Sequence, residues 1–389
     1  MKRVCVVTGT RAEYGLLRPI IKKIHDSDNL ALQLVVTGMH LSTEFGLTYK
    51  DIEEDGYPIL SKIEMLLSSD TSVGINKSMA VALMGFADFF ENNKPDMVVI
   101  LGDRYEMLMV ATAAMIARIP IAHIHGGELT EGLIDEAIRH SITKMSFLHF
   151  TATEEYRNRV IQLGEQPERV FNTGALGVEN IKTLSLLKRD ELENAVGFQL
   201  KSNMVLVTYH PVTLDNLSAK QQFNNILVVL DEYKDYFIVF TKANADTDGR
   251  IINQMIDEYV SKNGERSVAF TSLGQLRYLS ILPFCSFVLG NSSSGLIEVP
   301  SFKIPTINIG DRQRGRVCAD TVFNCGNSLE DIKHAVDVVI SEKWRERVAR
   351  SNNPYEGENT SKQIVEIIEE TLKNDIDLKK IFYDMSIKE

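Results

Sequence analysis

Residues 97–124 read MVVILGDRYEMLMVATAAMIARIPIAHI, and this stretch decides the fold class. The run Met97–Leu101 is apolar throughout, a polar turn follows it, and a helix-period segment leads to a second apolar run at Pro120–Ile124. Short strands that are apolar on both faces are typical of parallel sheets covered by helices on both sides. The stretch therefore predicts a β–α–β unit.

The same alternation covers most of the chain and predicts an α/β protein with doubly wound parallel sheets. It falters at residues 173–202, which hold several glycines and a charged helical piece. We therefore expect two Rossmann-like domains, residues 1–172 and 203–358, with a linker region at 173–202 and a C-terminal helix at 359–389 that can pack back. The other predicted strands are Val4–Thr8, Leu32–Thr37, Leu148–Thr151, Met204–Thr208, Phe237–Thr241, Val268–Thr271, Phe287–Gly290 and Thr306–Ile309.

The acidic composition of the chain excludes some classes of binding partner. The 389 residues include 42 Lys and Arg against 53 Asp and Glu, a net charge of −11. This balance argues against nucleic acid or an anionic membrane as the main partner, because both bind basic surfaces. No window approaches the ~18 uninterrupted apolar residues of a membrane span, and no secretory signal is visible. Cys318 and Cys325 could in principle pair, but the absence of CxxC spacing favours reduced thiols in a cytoplasmic protein.

Two polar turns follow predicted strands of the first half, where open α/β sheets bind ligands. The turn Thr8–Gly15 carries Arg11, which suits an anion beside a helix N-terminus; the alternative is a plain strand-to-helix turn. It is neither GxGxxG nor a P-loop, which weakens dinucleotide and ATP interpretations. The second turn places Asp103 beside Arg104, so that one side chain can face a sugar and the other a phosphate. Here the alternative is Asp103 as a helix N-cap.

A third constellation begins with His123 and His125 and continues to Glu128 and Asp135. Histidine and carboxylates are zinc ligands, but an HxH pair without HExxH or a cysteine set is weak evidence for metal. The same residues suit general acid–base catalysis, because neighbouring carboxylates and imidazoles shift one another's pKa. For His123 alone, packing at the strand end is the favoured interpretation.

The second half carries a candidate phosphate cradle. The run Gly290–Gly295 reads GNSSSG and offers hydroxyls and backbone N–H groups at the start of a helix. Glu298 follows at a distance that would let its carboxylate bind a ribose diol, and His210 follows another predicted strand. Arg312, in a short basic cluster, fits one phosphate-binding arginine. An ordinary N-cap cluster is the alternative for the serines.

Taken together, the motifs resemble the UDP-N-acetylglucosamine 2-epimerase family, and more narrowly its hydrolysing branch. The resemblance runs over residues 3–320 through RAEYG, VTGMHLSTEFGLTY, GDRYE, GGE with IDEAIRHSITK, HP, GNSSSG and IGDRQRGR. It implies a glycosyltransferase-B-like fold with the active site in the interdomain cleft. Positions that match nucleotide-diphosphate ligands of the family are Arg11, Arg104, His210, Asn244, Ser292, Ser293, Glu298 and Arg312.

The resemblance also implies residues for proton transfer, with one departure. His40, Asp103 and Asp135 match residues of the proton chemistry. Where the hydrolysing enzymes typically read HIEGGE, this chain has His125 in place of the carboxylate, so His125, Glu128 or Glu131 would have to compensate. The His-containing form resembles the sub-branch that acts on the UDP-linked 2,4-diacetamido-2,4,6-trideoxy sugar of legionaminic acid synthesis.

The implied reaction converts UDP-N-acetylglucosamine, or its 4-acetamido-6-deoxy relative, and water to UDP and an N-acetylmannosamine-type sugar for sialic acid-type nonulosonates. No cofactor and no metal are expected, since Arg11, Arg104 and Arg312 can meet the diphosphate charge. We expect a cytoplasmic homo-oligomer, a dimer or a tetramer, without nucleic-acid or membrane partners. The alternatives are a glycosyltransferase of the same fold and a non-enzymatic sugar-nucleotide sensor, although a sensor would not need acids and imidazoles around the sugar.

Overall fold

The computed structural model describes residues 1–67, 69, 71–131, 134–211, 218–243 and 249–385. The chain forms two compact units. The first comprises Met1–Glu128, Leu133–Asn180 and Tyr355–Glu389, and the second comprises Leu129–Gly132 and Ile181–Pro354. The C-terminal residues therefore return to the unit in which the chain begins.

The first unit contains a seven-stranded parallel sheet. Its strands are β1 Lys2–Thr8, β2 Leu30–Thr37, β3 Ile59–Ile63, β4 Met97–Leu101, β5 Ile121–Ile124, β6 Leu148–Thr151 and β7 Val170–Asn172. They lie in the order β3-β2-β1-β4-β5-β6-β7. The helices of this part are α1 Arg11–His25, α2 Tyr49–Glu54, α3 Ser72–Asn93, α4 Tyr105–Ile116, α5 Ile134–Met145, α6 Glu154–Gln162, α7 Leu176–Thr183 and, near the C-terminus, α15 Thr360–Leu372.

The second unit contains a six-stranded parallel sheet. Its strands are β8 Met204–Thr208, β9 Phe237–Thr241, β10 Ser267–Phe270, β11 Phe287–Gly290, β12 Thr306–Ile309 and β13 Val322–Cys325. They lie in the order β10-β9-β8-β11-β12-β13. The helices are α8 Arg189–Val196, α9 Ala219–Glu232, α10 Gly249–Lys262, α11 Gly274–Ile281, α12 Ser294–Ile297, α13 Leu329–Val339 and α14 Glu342–Arg350.

Each central strand is buried on both faces, which explains its continuous apolar sequence. In β1, Val4 and Val6 pack in one core while Cys5 and Val7 pack in the core on the opposite face, because successive strand side chains alternate. Helix α15 joins the first of these cores through residues such as Ile368 and packs on α1. The predicted fold class, two doubly wound parallel sheets with Rossmann-like topology, is confirmed.

Both sheets contain a point at which the strand order reverses. In the first sheet this point lies between β1 and β4, and in the second between β8 and β11. The connections leave such neighbouring strands in opposite directions, so a crevice opens beyond their carboxyl ends, and ligands of open α/β sheets bind there. A ligand is therefore expected at the turns after these four strands.

Three strands escape prediction, namely β3, β7 and β13, and all three lie at sheet edges. In β3, the alternation of partly exposed Ile59 and Ser61 with exposed Leu60 and Lys62 shows that only part of the strand is covered. An edge strand keeps polar residues for this reason, and its sequence lacks the apolar run that identifies a central strand.

Among the described residues, helix α3 alone is long and apolar enough to cross a membrane by length and composition. A third of its apolar window is buried. Its residues Phe86, Phe89 and Phe90 share a hydrophobic core with Val98 and Ile100 of strand β4 in the first sheet. Helix α3 is thus a covering helix of this sheet.

Candidate functional site

The candidate proton-transfer residues of the first unit lie along the carboxyl edge of its sheet, that is, beyond the carboxyl ends of its strands. Most of them follow the carboxyl ends of β2, β4 and β5; β4 and β5 are adjacent, and β1 lies between β2 and β4. Asp135 lies in the first turn of helix α5. Arg11 begins α1 directly after β1 at the same edge. The residues that the structure brings to this edge are Arg11, His40, Asp103, Arg104, His125, Glu128 and Asp135.

Asp103 is held by a buried arginine to which the sequence pattern assigned no role. Arg139, on α5, is 1% exposed, and its Nη2 donates a hydrogen bond to Asp103 Oδ2. Its Nη1 donates to the Glu128 carbonyl oxygen at 2.7 Å and to Glu136 Oε2 at 3.3 Å. One guanidinium therefore connects the turn after β4, the turn after β5 and helix α5. Such a fork of donors orients a carboxylate as well as compensating its charge.

Asp135 stands close enough to Asp103 for the two charges to interact. Burial, and then the negative charge of Asp103, raise the pKa of the Asp135 carboxyl, while Arg139 and Arg104 oppose this shift. Two neighbouring carboxyl groups in unlike environments are suited to unlike roles, one giving a proton and the other receiving it. The arrangement can therefore supply both an acid and a base.

His125 follows β5 with left-handed backbone geometry, at a φ of 64°. Such a conformation is uncommon for a residue other than glycine, although histidine adopts it more often than most. Gly127, two residues on, has a φ of 78°, and a Cβ there would lie 2.4 Å from the Tyr156 carbonyl oxygen. This turn brings His125 Nδ1 to 3.6 Å from Glu128 Oε1. An imidazole and a carboxylate thus stand side by side where the family motif has a carboxylate.

His40 is fully buried at the end of β2. Its Nε2 lies 3.0 Å from the Thr8 hydroxyl oxygen and its Nδ1 lies 2.8 Å from the Thr48 hydroxyl oxygen. Burial lowers the pKa of His40 to about 4, so the ring is neutral near pH 7. His40 is thus an oriented neutral imidazole held between two hydroxyl groups.

Arg104 faces two carboxyl groups of its own unit. Its Nε donates to Glu106 Oε1 at 2.5 Å and lies 4.0 Å from Glu13 Oε1. Glu13 caps α1 by accepting hydrogen bonds from the Gly9 and Thr10 backbone N–H groups. Burial and the adjacent Glu106 raise the pKa of Glu13 to about 8, against the opposing effect of Arg104. Part of the positive charge of Arg104 is therefore already compensated inside the unit.

Arg11 and Glu131 have partners elsewhere. The Arg11 side chain is well exposed and lies 3.2 Å from the Asp51 carboxylate. Glu131 belongs to the second unit, where its carboxylate lies 3.3 Å from Arg314 Nε. Glu131 is thus engaged in an exposed ion pair, and Arg11 remains accessible to solvent.

His123 does more than fill space at the end of β5. It is fully buried, and its Nε2 lies 2.8 Å from the Gly102 carbonyl oxygen, directly before Asp103. Its Nδ1 lies 3.3 Å from the hydroxyl oxygen of Thr143, one turn after Arg139 on α5. Burial lowers the pKa of His123 to about 3, so the ring is neutral and supports the Asp103 turn without adding charge.

The second unit gathers its candidate ligands at the carboxyl ends of β8, β11 and β12. His210 follows β8, Ser292 and Ser293 follow β11, and Arg312 follows β12. His210 is 8% exposed, and burial together with the positive charge of Arg312 lowers its pKa to about 3. A neutral imidazole beside an arginine can donate a hydrogen bond to an anion, while the arginine supplies the positive charge. Asn244 lies outside the described residues.

Glu298 lies directly after the short helix α12. The Ser294 hydroxyl donates a hydrogen bond to its Oε2, and burial raises the pKa of the carboxyl. The side chain is thus held in place from the residue that opens the same helix. Among the residues that the structure describes, no group of three or more His, Cys, Asp or Glu side chains could hold a metal ion.

Two doubly wound sheets with polar turns at their switch points define a glycosyltransferase-B-like α/β protein. The solved structure of a UDP-GlcNAc 2-epimerase from Neisseria meningitidis bound to UDP-GlcNAc has this fold; it is 22% identical, with a TM-score of 0.81 over 96% of this chain and all of the other. The family profile described as UDP-N-acetylglucosamine 2-epimerase matches residues 22–369. The chain therefore belongs to the UDP-N-acetylglucosamine 2-epimerase family.

Two members of that family are similar to this chain over nearly its whole length. The chain is 42% identical over 384 residues to the GDP/UDP-N,N'-diacetylbacillosamine 2-epimerase (hydrolyzing) of Campylobacter jejuni, with 99% of each chain covered. It is also 42% identical over 386 residues to the polysialic acid biosynthesis protein P7 of Escherichia coli, with 99% of this chain and 98% of the other covered. The expected resemblance is confirmed.

Proposed function

We propose that the protein is a hydrolysing nucleotide-sugar 2-epimerase, which converts a UDP-linked 2-acetamido sugar and water to UDP and a free manno-configured sugar. The observation that carries the proposal is the pair of Asp103, bound by buried Arg139, and Asp135, whose pKa is raised, at the switch point of the first sheet. Membership of the 2-epimerase family and the hydrolysing relative support it.

The first step is an elimination. An ionised carboxylate, for which we propose Asp103, takes the proton from C2 of the sugar, and the electrons of the C2–H bond form a C1–C2 double bond. The bond between C1 and the diphosphate oxygen breaks, and its electrons leave with UDP. Positive charge and hydrogen-bond donors at the diphosphate stabilise this departure. The product is an unsaturated sugar, a glycal, and the base now carries the proton.

The second step adds water to the glycal. A group on the opposite face returns a proton to C2, and a water oxygen attacks C1 as it loses a proton to a neighbouring base. Asp135 suits proton donation, since its raised pKa keeps a larger share of the carboxyl protonated. His125 and Glu128, 3.6 Å apart, suit the base that receives the proton of water. His40 matches a residue of the family's proton chemistry; because it is fully buried with both ring nitrogens against threonine hydroxyls, we propose that it supports the turn after β2 and does not itself touch the sugar.

For the nucleotide we propose the residues at the carboxyl ends of the strands of the second sheet. For Arg11 and Arg104 of the first unit we propose the role that the family motif implies, which is that of diphosphate ligands. The Ser292 and Ser293 hydroxyls and the Arg312 guanidinium suit phosphate oxygens, and Glu298 suits a ribose diol. Arg104 and Arg11 each lie beside a carboxylate of their own unit, Glu106 and Asp51 respectively, so part of their positive charge is already compensated there.

The sugar we propose is the 2,4-diacetamido-2,4,6-trideoxy type. Two observations support it: the name of the Campylobacter relative, and His125 at the position of the usual carboxylate. The second candidate is UDP-N-acetylglucosamine, supported by an equally similar relative assigned to polysialic acid biosynthesis. Either sugar serves the synthesis of sialic acid-type nonulosonates, and we propose that it does so in the cytoplasm.

We also propose a homo-oligomer, a dimer or a tetramer. Apolar side chains stand exposed on the outer helices of the first unit, with Met84 of α3 63% exposed and Ile116 of α4 74% exposed. Light scattering on the purified protein measures the mass directly, and a monomer at micromolar concentration would refute this part of the proposal.

The reaction is tested with the purified enzyme alone, without any sugar acceptor. In heavy water the released manno-configured sugar should carry deuterium at C2, and UDP should appear in equal amount. In ¹⁸O-labelled water the UDP should remain unlabelled, because the bond that breaks lies between C1 and oxygen. Protium retained at C2 would refute epimerisation, and turnover only in the presence of an acceptor would indicate a glycosyltransferase.

Substrate choice is measured in the same assay with three nucleotide sugars. UDP-N,N'-diacetylbacillosamine should be turned over at least as well as UDP-N-acetylglucosamine, and the GDP-linked form tests the nucleotide. A strong preference for UDP-N-acetylglucosamine would refute the diacetamido proposal and leave the reaction class intact. UDP-linked product, in place of free sugar, would move the protein to the non-hydrolysing branch.

A further inference from the structure

Asn291 occupies the turn directly after β11, at the carboxyl edge of the second sheet. Its side chain is buried, and both amide atoms bind the main chain of His210, which follows β8. Asn291 Oδ1 accepts a hydrogen bond from the His210 backbone N–H at 2.7 Å, and Asn291 Nδ2 donates to the His210 carbonyl oxygen at 2.8 Å. This reciprocal pair fixes the position of His210 with two directional bonds.

The backbone of Asn291 makes connections in two further directions. Its N–H donates to the carbonyl oxygen of Thr208, the last residue of β8, at 3.1 Å. Its carbonyl oxygen accepts from Arg312 Nη1 at 3.2 Å and from Gln313 Nε2 at 2.9 Å. One residue thus ties together the ends of β8, β11 and β12.

The close approach of these strand ends depends on the residue before Asn291. Gly290 has a φ of 144°, and a Cβ there would lie 1.8 Å from the Thr208 carbonyl oxygen. Only glycine permits this approach, which brings Asn291 within reach of His210. The turn is therefore built so that the Asn291 amide meets the main chain of the neighbouring strand.

We propose that Asn291 is a positioning residue of the nucleotide site. It would not touch the ligand through its amide; it would hold His210 and Arg312 in the geometry that receives the nucleotide. This inference rests on the proposed function, in which those two residues bind the nucleotide. Ligand groups that are held in place before binding lose less freedom when the ligand arrives, so their support contributes to affinity.

The chemistry of the side chain follows from the contacts it makes. Alanine would leave the buried N–H and carbonyl groups of His210 without their partner. Aspartate keeps the shape and can still accept from the N–H, but it cannot donate, and it would place a carboxylate against the His210 carbonyl oxygen. Only an amide of this length supplies one donor and one acceptor here.

The test compares Asn291→Ala and Asn291→Asp with the wild type by calorimetric titration with UDP and by steady-state kinetics. Both variants should lose UDP affinity by about tenfold or more, as expected when buried polar groups lose their partners. KM should rise in parallel while kcat changes by only a few-fold. A purely structural defect would instead lower the fraction of active protein at an unchanged Kd and KM.

Asn308→Ala is the matched control. Asn308 is also buried in the second sheet, on β12, and its Nδ2 donates to Asn324 Oδ1 at 2.8 Å on the neighbouring strand β13. Its loss should leave the Kd for UDP within about two-fold of the wild type, because its amide lies on no turn of the proposed site. An equal loss in this variant would show that the effect of Asn291 is general destabilisation.

A double-mutant cycle with His210→Ala completes the test. If Asn291 acts partly through His210, the two single variants should lose, in sum, more binding free energy for UDP than the double variant loses. Strictly additive losses, or a Kd for Asn291→Ala within two-fold of the wild type, would overturn the inference. Failure of the wild type to bind UDP would instead overturn the proposed function, so the two failures are distinguishable.

Discussion

Replacement of Arg139 by methionine tests whether this buried guanidinium organises the first site. Methionine keeps the length and the apolar stem but removes every donor. The variant would lose the bonds to Asp103, to Glu136 and to the Glu128 carbonyl oxygen. Breaking a buried ion pair by removing one partner costs about 3–5 kcal/mol, because the other charge stays behind uncompensated.

The exposure of the partners sets where in this range the loss should fall. The side chains of Asp103 and Glu136 remain 22% and 27% exposed, so water can reach both carboxylates after the guanidinium is gone. We therefore expect a loss near the lower end, about 3 kcal/mol of the free energy of unfolding. This is a large share of the roughly 5–15 kcal/mol that stabilises a typical domain.

The measurement is urea unfolding followed by circular dichroism, with turnover measured on the folded protein. Arg157→Met is the matched control in the same unit: Arg157 bonds the Val170 and Pro167 carbonyl oxygens and the exposed Glu154 carboxylate. Its guanidinium is more exposed, so we expect a loss of at most about 1–1.5 kcal/mol and near-normal turnover.

A second substitution separates loss of the charge partner from loss of packing. In the Arg139→Met background, Asp103→Asn removes the carboxylate left without its arginine and should restore part of the stability, although not the turnover. Such recovery is the signature of an uncompensated charge. A loss below about 1 kcal/mol for Arg139→Met, or no recovery in the double variant, would refute the reasoning.

Three further outcomes follow from the contacts. Asp103→Asn should abolish turnover while UDP affinity stays within a few-fold, and a near-normal rate would remove Asp103 from the mechanism. The N-cap alternative for Asp103 is wrong, because the N-cap of α4 is Arg104. Glu298→Ala should weaken UDP binding by about 1–3 kcal/mol in a calorimetric titration, and unchanged affinity would exclude it from the site. His123 has its pKa lowered to about 3, so the unfolded chain alone binds this proton as the pH falls from about 6.5 toward 3. The stability that neutral His123 gives is thus lost on acidification, at a rate that rises to about 1.4 kcal/mol per pH unit below pH 6.5. Because the unfolded-state histidine is only half protonated at pH 6.5, the loss between pH 6.5 and 5 should be about 1.5 kcal/mol smaller in His123→Gln. Equal shifts of the urea midpoint in both proteins would contradict this.

The apolar pattern predicted the central strands well, since their environment is the same on both faces. Met97–Leu101 and Met204–Thr208 have the predicted bounds. The edge strands Ile59–Ile63 and Val322–Cys325 were missed because one side of each meets solvent and admits polar residues. A local pattern reports burial, and burial is what distinguishes the centre of a sheet from its edge.

The supporting residues of the two sites carry no such local signal. Arg139 reads as an ordinary arginine on an amphipathic helix, and its partner Asp103 lies 36 positions earlier in the chain. Asn291 reads as part of a serine-rich cap, while the backbone it binds lies 81 positions away. Motifs locate residues that follow strands, but the pairing of strands in the sheet decides which distant residues hold them. A weak signal was present for Arg139, which stands four residues after Asp135 and therefore on the same face of α5.

The two supporting residues differ in charge, and the difference fits what each edge must hold. The first edge carries acidic proton carriers, so a neutral residue at 139 would leave the buried side of Asp103 without compensation, whereas the arginine offsets that charge and orients the carboxylate. The second edge is proposed to receive a diphosphate, and there the positive charge of Arg312 must remain available for the ligand. Asn291 binds Arg312 only through its neutral carbonyl oxygen. A carboxylate at 291 would face the His210 carbonyl oxygen and add negative charge to the turn that is proposed to receive the diphosphate. A neutral amide holds the same main chain without adding that charge.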